Sequence, residues 1–176
     1  VILTVPSDVT ITIDLNGHTV SKPTGTGRIL ENAGNVTIND SSTDKSGLVS
    51  AYRNNVGNTG TMVINGGTFE THCNVGGTTL YNGVGGTMTI NGCVVNADFF
   101  AINNEGDMEI NGGEFHSTST NEPGTFAYCV RNYANMTIND ATITGIQGAL
   151  ASASGVLKVY DGHFSTEWGN SRSFYA

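Results

Sequence analysis

Glutamate, histidine and asparagine recur in this chain at positions where a β-strand would place them on one face. Glu114 and His116 are two residues apart, so strand geometry points both side chains to the same side. The two could form an acid–base couple or an ordinary solvated pair, and we interpret them as the solvated pair. Glu70, Asn96 and His163 occupy matching places in other repeats of the chain.

Hydrolysis of a polysaccharide requires two carboxyl groups roughly 5 to 9.5 Å apart. In the registers derived below, no two carboxylates lie in adjacent repeats on either face of the strands. Glu70 and Glu114 come nearest, at roughly 12 Å from standard strand spacings. Arg28, Arg53 and Arg131 fall near a different strand of the repeat. The sequence therefore favours a protein that is not an enzyme, and it predicts no catalytic residue.

Two further sets of residues have the types that bind metals. The segment Asp40–Gly47 alternates oxygen-bearing residues as a calcium loop does, but it lacks the terminal bidentate Glu and contains Lys45. We interpret it as an insertion at a turn. Cys73, Cys93 and Cys129 form no CxxC spacing, so buried thiols are favoured over a redox or metal role. No metal and no cofactor is predicted.

Composition excludes two classes of partner. Seven Lys and Arg against fifteen Asp and Glu give a formal charge of −8, which would repel a phosphate backbone. No run of about 18 apolar residues exists, so membrane insertion is not expected. The 24 Gly and 3 Pro, with abundant Asn and Thr, favour a chain that turns often and pairs strands between turns.

One six-residue pattern repeats along the whole chain. Apolar residues alternate with polar ones up to an anchor position, which predicts a strand with one buried face. The anchors are Leu15, Ile38, Ile64, Ile90, Ile110, Ile138 and Val159. Asn-Gly or Asn-Asp follows the anchor in six of the seven units, which predicts a turn at that point.

Each repeat contains two more strand positions. After the turn, a small and a bulky residue alternate, as in Gly67 with Phe69 and Gly113 with Phe115. A third apolar site lies eight residues before the anchor and is followed two residues later by an asparagine. In the unit anchored at Ile90, the matching Leu80 and Asn82 lie two residues earlier, which indicates a two-residue insertion. The sequence thus predicts an all-β, right-handed parallel β-helix of about seven coils with three parallel sheets.

Stacked coils place like residues above one another about 4.8 Å apart, so asparagines at one register can form hydrogen-bonded ladders. The sequence predicts two ladders that satisfy the backbone of the turns. The first comprises Asn16, Asn39, Asn65, Asn91, Asn111 and Asn139. The second comprises Asn32, Asn58, Asn104 and Asn132.

This pattern resembles the right-handed parallel β-helix, or pectate-lyase-like, superfamily. The segment Ile11–Val20 is similar to an opening coil of its bacterial surface and phage members. The resemblance implies an extracellular, cell-surface or virion location. The superfamily contains lyases, hydrolases, adhesins, phage tail proteins and stalks, and its lyases use clustered aspartates with Ca²⁺ and a basic residue, so the fold does not choose a function.

We therefore expect one domain over residues 1–176, an excerpt of a longer chain or an assembly with further coils or subunits at its open ends. The favoured function is a non-enzymatic structural or adhesion module that contacts a polysaccharide or cell-surface glycan. The alternatives are a polysaccharide-degrading enzyme and an inert stalk or filament subunit. The candidate glycan-binding residues are Glu70, Asn96, Glu114, His116 and His163, and the aromatic alternative is the group Tyr128, Tyr133 and Trp168.

Overall fold

The computed structural model describes residues 3–120 and 128–167, and the backbone of 172–175. These residues contain 22 strands, numbered β1 to β22 in chain order, and no helix. The strands form three sheets in which every neighbouring pair is parallel, so the chain is a parallel β-solenoid. The predicted fold class is confirmed.

Each coil of the solenoid contributes one strand to each sheet. Sheet A contains β1 Leu3–Val5, β4 Leu30–Asn32, β7 Val56–Asn58, β10 Thr78–Asn82, β13 Phe100–Asn104, β16 Tyr128–Asn132, β19 Gly148–Ser152 and β22 Arg172–Tyr175. Sheet B contains β2 Thr10–Asp14, β5 Asn35–Asn39, β8 Thr61–Ile64, β11 Thr87–Ile90, β14 Asp107–Ile110, β17 Asn135–Ile138 and β20 Leu157–Val159. Sheet C contains β3 Thr19–Lys22, β6 Leu48–Ala51, β9 Thr68–Thr71, β12 Val94–Ala97, β15 Glu114–Ser117, β18 Thr142–Gly145 and β21 His163–Thr166.

The core is a set of stacked apolar columns enclosed by the three sheets. In sheet B, Ile90 pairs with Ile64 on one side and with Ile110 on the other, and all three are fully buried. In sheet C, Phe69 and Phe115 are also fully buried, as the small-then-bulky pattern predicts. The alternation of apolar and polar residues explains both, because successive side chains of a strand point to opposite faces.

The predicted register of the first coil is wrong by two residues. Ile13, rather than Leu15, pairs with Ile38, and Asp14 pairs with Asn39. Leu15 lies just past the strand and is buried at the corner. The error has a simple cause, because a strand that alternates with a period of two looks the same after a shift of two residues.

The first ladder follows the corrected register along the outside of the corner between sheets B and C. Each amide donates to the asparagine of the preceding coil, from Asn65 to Asn39, Asn91 to Asn65, Asn111 to Asn91 and Asn139 to Asn111, at 2.6–2.9 Å. Asn16 is not part of this ladder, since its side-chain oxygen accepts from the Ser41 hydroxyl instead. Asn91 and its neighbouring rungs are exposed. The prediction that this ladder satisfies buried backbone of the turns is therefore wrong.

The second ladder is buried at the corner between sheets A and B. It runs from Asn32 through Asn58, Asn82 and Asn104 to Asn132, with amide-to-oxygen distances of 2.7–2.8 Å. Each amide also donates to backbone carbonyls, as Asn82 does to Gly86 and Asp107. This ladder performs the predicted task of satisfying turn backbone that water does not reach.

Asn82 joins the second ladder because the two-residue insertion is confined to the turn that follows it. Residues 83–86 separate β10 from β11, whereas only residues 59–60 separate β7 from β8. Asn82 consequently keeps its pairing with Asn58 and Asn104.

Candidate functional site

The predicted glycan-binding residues all lie on the outward face of sheet C, in two neighbouring rows. The first row is Thr19, Leu48, Thr68, Val94, Glu114, Thr142 and His163. The second row is Ser21, Ser50, Glu70, Asn96, His116, Thr144 and Ser165. The structure therefore brings Glu70, Asn96 and His116 into consecutive coils, while Thr142 separates Glu114 from His163.

Hydrogen bonds and ion pairs within these rows are local. Asn96 donates to Glu70 at 3.4 Å, and the Nε2 of His116 lies 3.6 Å from a carboxylate oxygen of Glu114. The Glu114 side chain is 63% exposed, so solvent screens this pair and it contributes little to stability. The geometry matches a solvated surface pair, the interpretation that the sequence favoured.

His72 belongs beside these rows, although the sequence reasoning did not include it. Its Nε2 lies 3.0 Å from the hydroxyl of Ser50 and 3.7 Å from a carboxylate oxygen of Glu70. Its position two residues after Glu70 was the available signal, because the period of two continues past the end of β9. A cluster of a hydroxyl, an imidazole and a carboxylate, from Ser50, His72 and Glu70, thus lies beside the second row.

A shallow trough runs beside the first row, along the corner between sheets B and C. Glycines 66, 67, 92 and 113 line its floor, and Thr68, Val94 and Glu114 form one side. Asn65 and Lys45 also border the trough. An ideal Cβ added at Gly92 would meet no atom within 4 Å, so the trough has room for a bound group there.

Two carboxylates that the search of adjacent repeats missed share one strand of sheet B. Asp107 and Glu109 are two residues apart on β14, and Asn135 and Asn139 of the next coil donate to them at 2.9 and 3.0 Å. Lys158 lies two coils beyond Glu109 in the same row. One open depression is bordered by Asp107, Glu109, Asn135 and Lys158. A search for carboxylates within one strand would have found this pair.

The calcium-like segment is a turn held by Asp40. The carboxylate of Asp40 accepts hydrogen bonds from the backbone N–H groups of Gly17 and Gly47, at 3.0 and 2.8 Å, and from the Ser42 hydroxyl at 2.8 Å. Burial would raise the pKa of Asp40, but these hydrogen bonds outweigh it and lower the pKa from 3.8 to about 2. The carboxylate oxygens thus face N–H and O–H donors, which supports the interpretation as a turn.

The described residues contain no group of three or more His, Cys, Asp or Glu side chains that could hold a metal ion. Cys73, Cys93 and Cys129 are buried and free. Burial raises the pKa of the Cys93 thiol to about 12 and also raises the pKa of Cys129. These positions fit the interpretation as buried thiols that fill the core.

Three arginines and two of the three aromatic alternatives lie in the part of the chain that the structure describes. Arg28 and Arg131 lie on the outward side of sheet A, and Arg53 packs against Gly77 just before β10. Tyr128 is buried and Tyr133 is partly exposed. Trp168, the third aromatic alternative, lies outside the described residues.

No helix among the described residues is long and apolar enough to span a membrane. Comparison with family models, with curated proteins and with solved structures found no match to this chain.

Proposed function

We propose that this chain is a non-enzymatic, extracellular structural or adhesion module that contacts an extended glycan along sheet C. The sequence resemblance supports a place in the pectate-lyase-like superfamily, and within it a segment of a bacterial surface or phage virion protein. The observation behind the proposal is the pairing of two polar rows with the glycine-lined trough beside them.

The polar rows supply groups that sugars recognise. Glu70, Asn96 and His116 repeat once per coil, about 4.8 Å apart, and offer both donors and acceptors to hydroxyl groups. Because these side chains belong to paired strands, their spacing is fixed before any ligand arrives. The backbone of the row therefore loses little conformational entropy on binding.

The trough adds apolar contact to this polar surface. Val94 is partly exposed between Thr68 and Glu114, and the neighbouring glycines leave backbone uncovered. A sugar ring has an apolar face and a polar edge, so it could rest on Val94 while its hydroxyl groups reach Glu114. Such an open site gives weak affinity for each unit, which repetition along an oligomer would increase.

Retention on a glycan array tests the proposal. The double variant Glu114→Ala/His116→Ala should lose retention, and Gly92→Gln should lose it as well by filling the trough. Asp8→Ala, which removes an exposed carboxylate between β1 and β2, is the matched control and should bind like wild type. All variants should keep the wild-type unfolding midpoint.

Two results would reject sheet C as the site. Unchanged retention by the double variant and by Gly92→Gln would move the contact to Tyr133, the partly exposed member of the aromatic alternative among the described residues. Absence of any retention by wild type would favour the inert stalk or filament subunit.

The carboxylates of β14 favour a polysaccharide-degrading enzyme as the second candidate. Asp107 and Glu109 share one outward face, and Lys158 supplies a basic group in the same depression. Incubation with bacterial and plant polysaccharides should then produce new reducing or unsaturated ends. Asp107→Asn should abolish them, and their absence with wild type would reject this candidate.

Exposed apolar side chains on the edge strands of the first coil support further subunits as partners. Leu3 and Val20, in edge strands β1 and β3, are 42% and 43% exposed, and both border an apolar opening of the core. Edge strands with exposed apolar side chains are templates for strand addition. Leu3→Lys/Val20→Lys should therefore shift sedimentation towards a smaller species, whereas an unchanged monomer would exclude self-association through this end.

A further inference from the structure

The outward side of sheet A presents two arginines stacked on aromatic rings. The guanidinium carbon of Arg28 lies 4.9 Å from the centre of the Tyr81 ring. That of Arg131 lies 4.6 Å from the Phe100 ring and 4.9 Å from the Tyr133 ring. Stacking of this kind fixes a guanidinium by its faces and leaves its N–H edges available.

A glycine determines where Arg28 lies. Gly57 stands between Glu31 and Tyr81 in the outward row of sheet A. A Cβ at Gly57 would come within 2.6 Å of the Arg28 Cδ, so only glycine leaves space for this side chain to cross the coil. The Nε of Arg28 is buried and has no hydrogen-bond partner among the described residues, and one Nη lies 3.7 Å from Glu31.

Glu105 lies between the two arginines but is bound to neutral donors. Its carboxylate accepts from the Tyr81 hydroxyl at 2.7 Å and from the Asn103 amide at 3.1 Å. Burial and the hydrogen bond to Glu105 raise the pKa of Tyr81, so the phenol stays protonated and keeps donating. Glu105 therefore orients the ring on which Arg28 stacks.

Arg131 is the second cation of this face. Its guanidinium is partly buried, which lowers its pKa, and the charge of Glu105 offsets part of that effect. Among residues 3–120 and 128–167, its side chain has ring contacts but neither a hydrogen bond nor an ion pair. An oxyanion would accept from two N–H groups of this guanidinium at once, in a charge-assisted pair.

We propose that the arginine strip, defined as Arg28, Tyr81, Phe100, Asn103, Arg131 and Tyr133, is a second binding site that takes oxyanion groups of an acidic glycan. The choice of a glycan rests on the proposed function, whereas the site itself is separate from sheet C. Arg131 pairs with one oxyanion through its N–H edge, and Arg28, stacked on Tyr81 two coils before Arg131, donates to another oxyanion of the same polymer.

Three polymers with one backbone test the strip: dextran, carboxymethyl dextran and dextran sulfate. Wild type should be retained on immobilised carboxymethyl dextran or dextran sulfate and pass through neutral dextran. The carboxylate and sulfate columns show which oxyanion the strip takes. Arg131→Gln should weaken retention roughly ten- to a hundredfold, because hydrogen bonds to charged groups are lost.

Matched variants separate a built site from general charge attraction. Lys22→Gln, at the end of β3 in sheet C, removes the same charge and should leave retention unchanged. Arg131→Lys keeps the charge but loses the planar fork, so it should bind less than wild type. Ala151→Glu places a carboxylate next to Arg131 in the following coil and should block retention without removing a cation.

Several outcomes would overturn the proposal. One is equal weakening by Lys22→Gln and Arg131→Gln. Another is full binding by both the Arg131→Lys variant and the Ala151→Glu variant. The third is no retention of wild type on either anionic column. Equal retention on polyglutamate would reject the assignment to a glycan. Because Glu114→Ala/His116→Ala should not affect these columns, failure of the strip and failure of sheet C can be told apart.

Discussion

The amide of Asn82 donates to the side-chain oxygen of Asn104 at 2.8 Å inside the solenoid, towards the later coil. On the outside, the amide of Asn91 donates to Asn65 at 2.7 Å, towards the earlier coil. The two ladders thus have opposite hydrogen-bond polarity. They also differ in surroundings, since Asn82 is fully buried and Asn91 is exposed.

This difference predicts unequal costs for the same substitution. Asn82→Ala removes a partner from Asn58 and Asn104 and leaves buried backbone carbonyls unsatisfied, so it should lower the free energy of unfolding by about 3 kcal/mol. Asn91→Ala should cost about 1 kcal/mol, more than Thr89→Ala. Urea unfolding measures all three. Equal costs for Asn82→Ala and Asn91→Ala would show that burial does not distinguish the ladders.

The isoleucine column should behave as a close-packed core. Ile90 is fully buried between Ile64 and Ile110, so Ile90→Ala should lower the free energy of unfolding by about 2–5 kcal/mol. Val84→Ala is the matched control, because Val84 is 79% exposed and should change stability little. Similar midpoints for both variants in urea would contradict the assigned core.

Asp40 should make stability depend on acid pH. Its folded pKa of about 2 lies below the ordinary 3.8, so folding favours the charged form. Its contribution is therefore present above about pH 4 and is lost as the pH falls towards about 2. Asp40→Asn should lower the thermal midpoint at pH 7, and its difference from wild type should shrink across that range. Asp8→Asn, at an exposed position, should show no such change, and a constant difference for Asp40→Asn would remove the carboxylate from this role.

The buried thiols should be unreactive in the folded protein. Cys93 and Cys129 have raised pKa values because burial disfavours the thiolate, which is the reactive form. Labelling with a thiol-specific disulfide reagent should therefore be slow in buffer and fast in urea above the unfolding midpoint. Rapid labelling of Cys93 or Cys129 without denaturant would contradict their burial.

The sequence determined the fold class, three parallel sheets and most of the register. Anchors such as Ile64 and Ile90 are one coil apart, and each follows the same alternation of polar and apolar residues. Strands with the same alternation bury the same face when they stack, so the anchors pair. The same logic placed Glu70, Asn96 and His116 in adjacent coils, because outward positions follow once inward ones are known. Local alternation of apolar and polar residues is sufficient for these assignments.

Only the tertiary structure decided between registers that a pattern with a period of two residues cannot distinguish. A two-residue shift preserves the alternation, so only packing could place Ile13 opposite Ile38 and exclude Asn16 from its ladder. Both ladders have the same residue type, and only the closed coil shows that one is buried and the other exposed. The crossing of Arg28 over Gly57 to reach Tyr81 joins side chains from separate coils, and such contacts depend on three-dimensional space rather than on spacing along the chain.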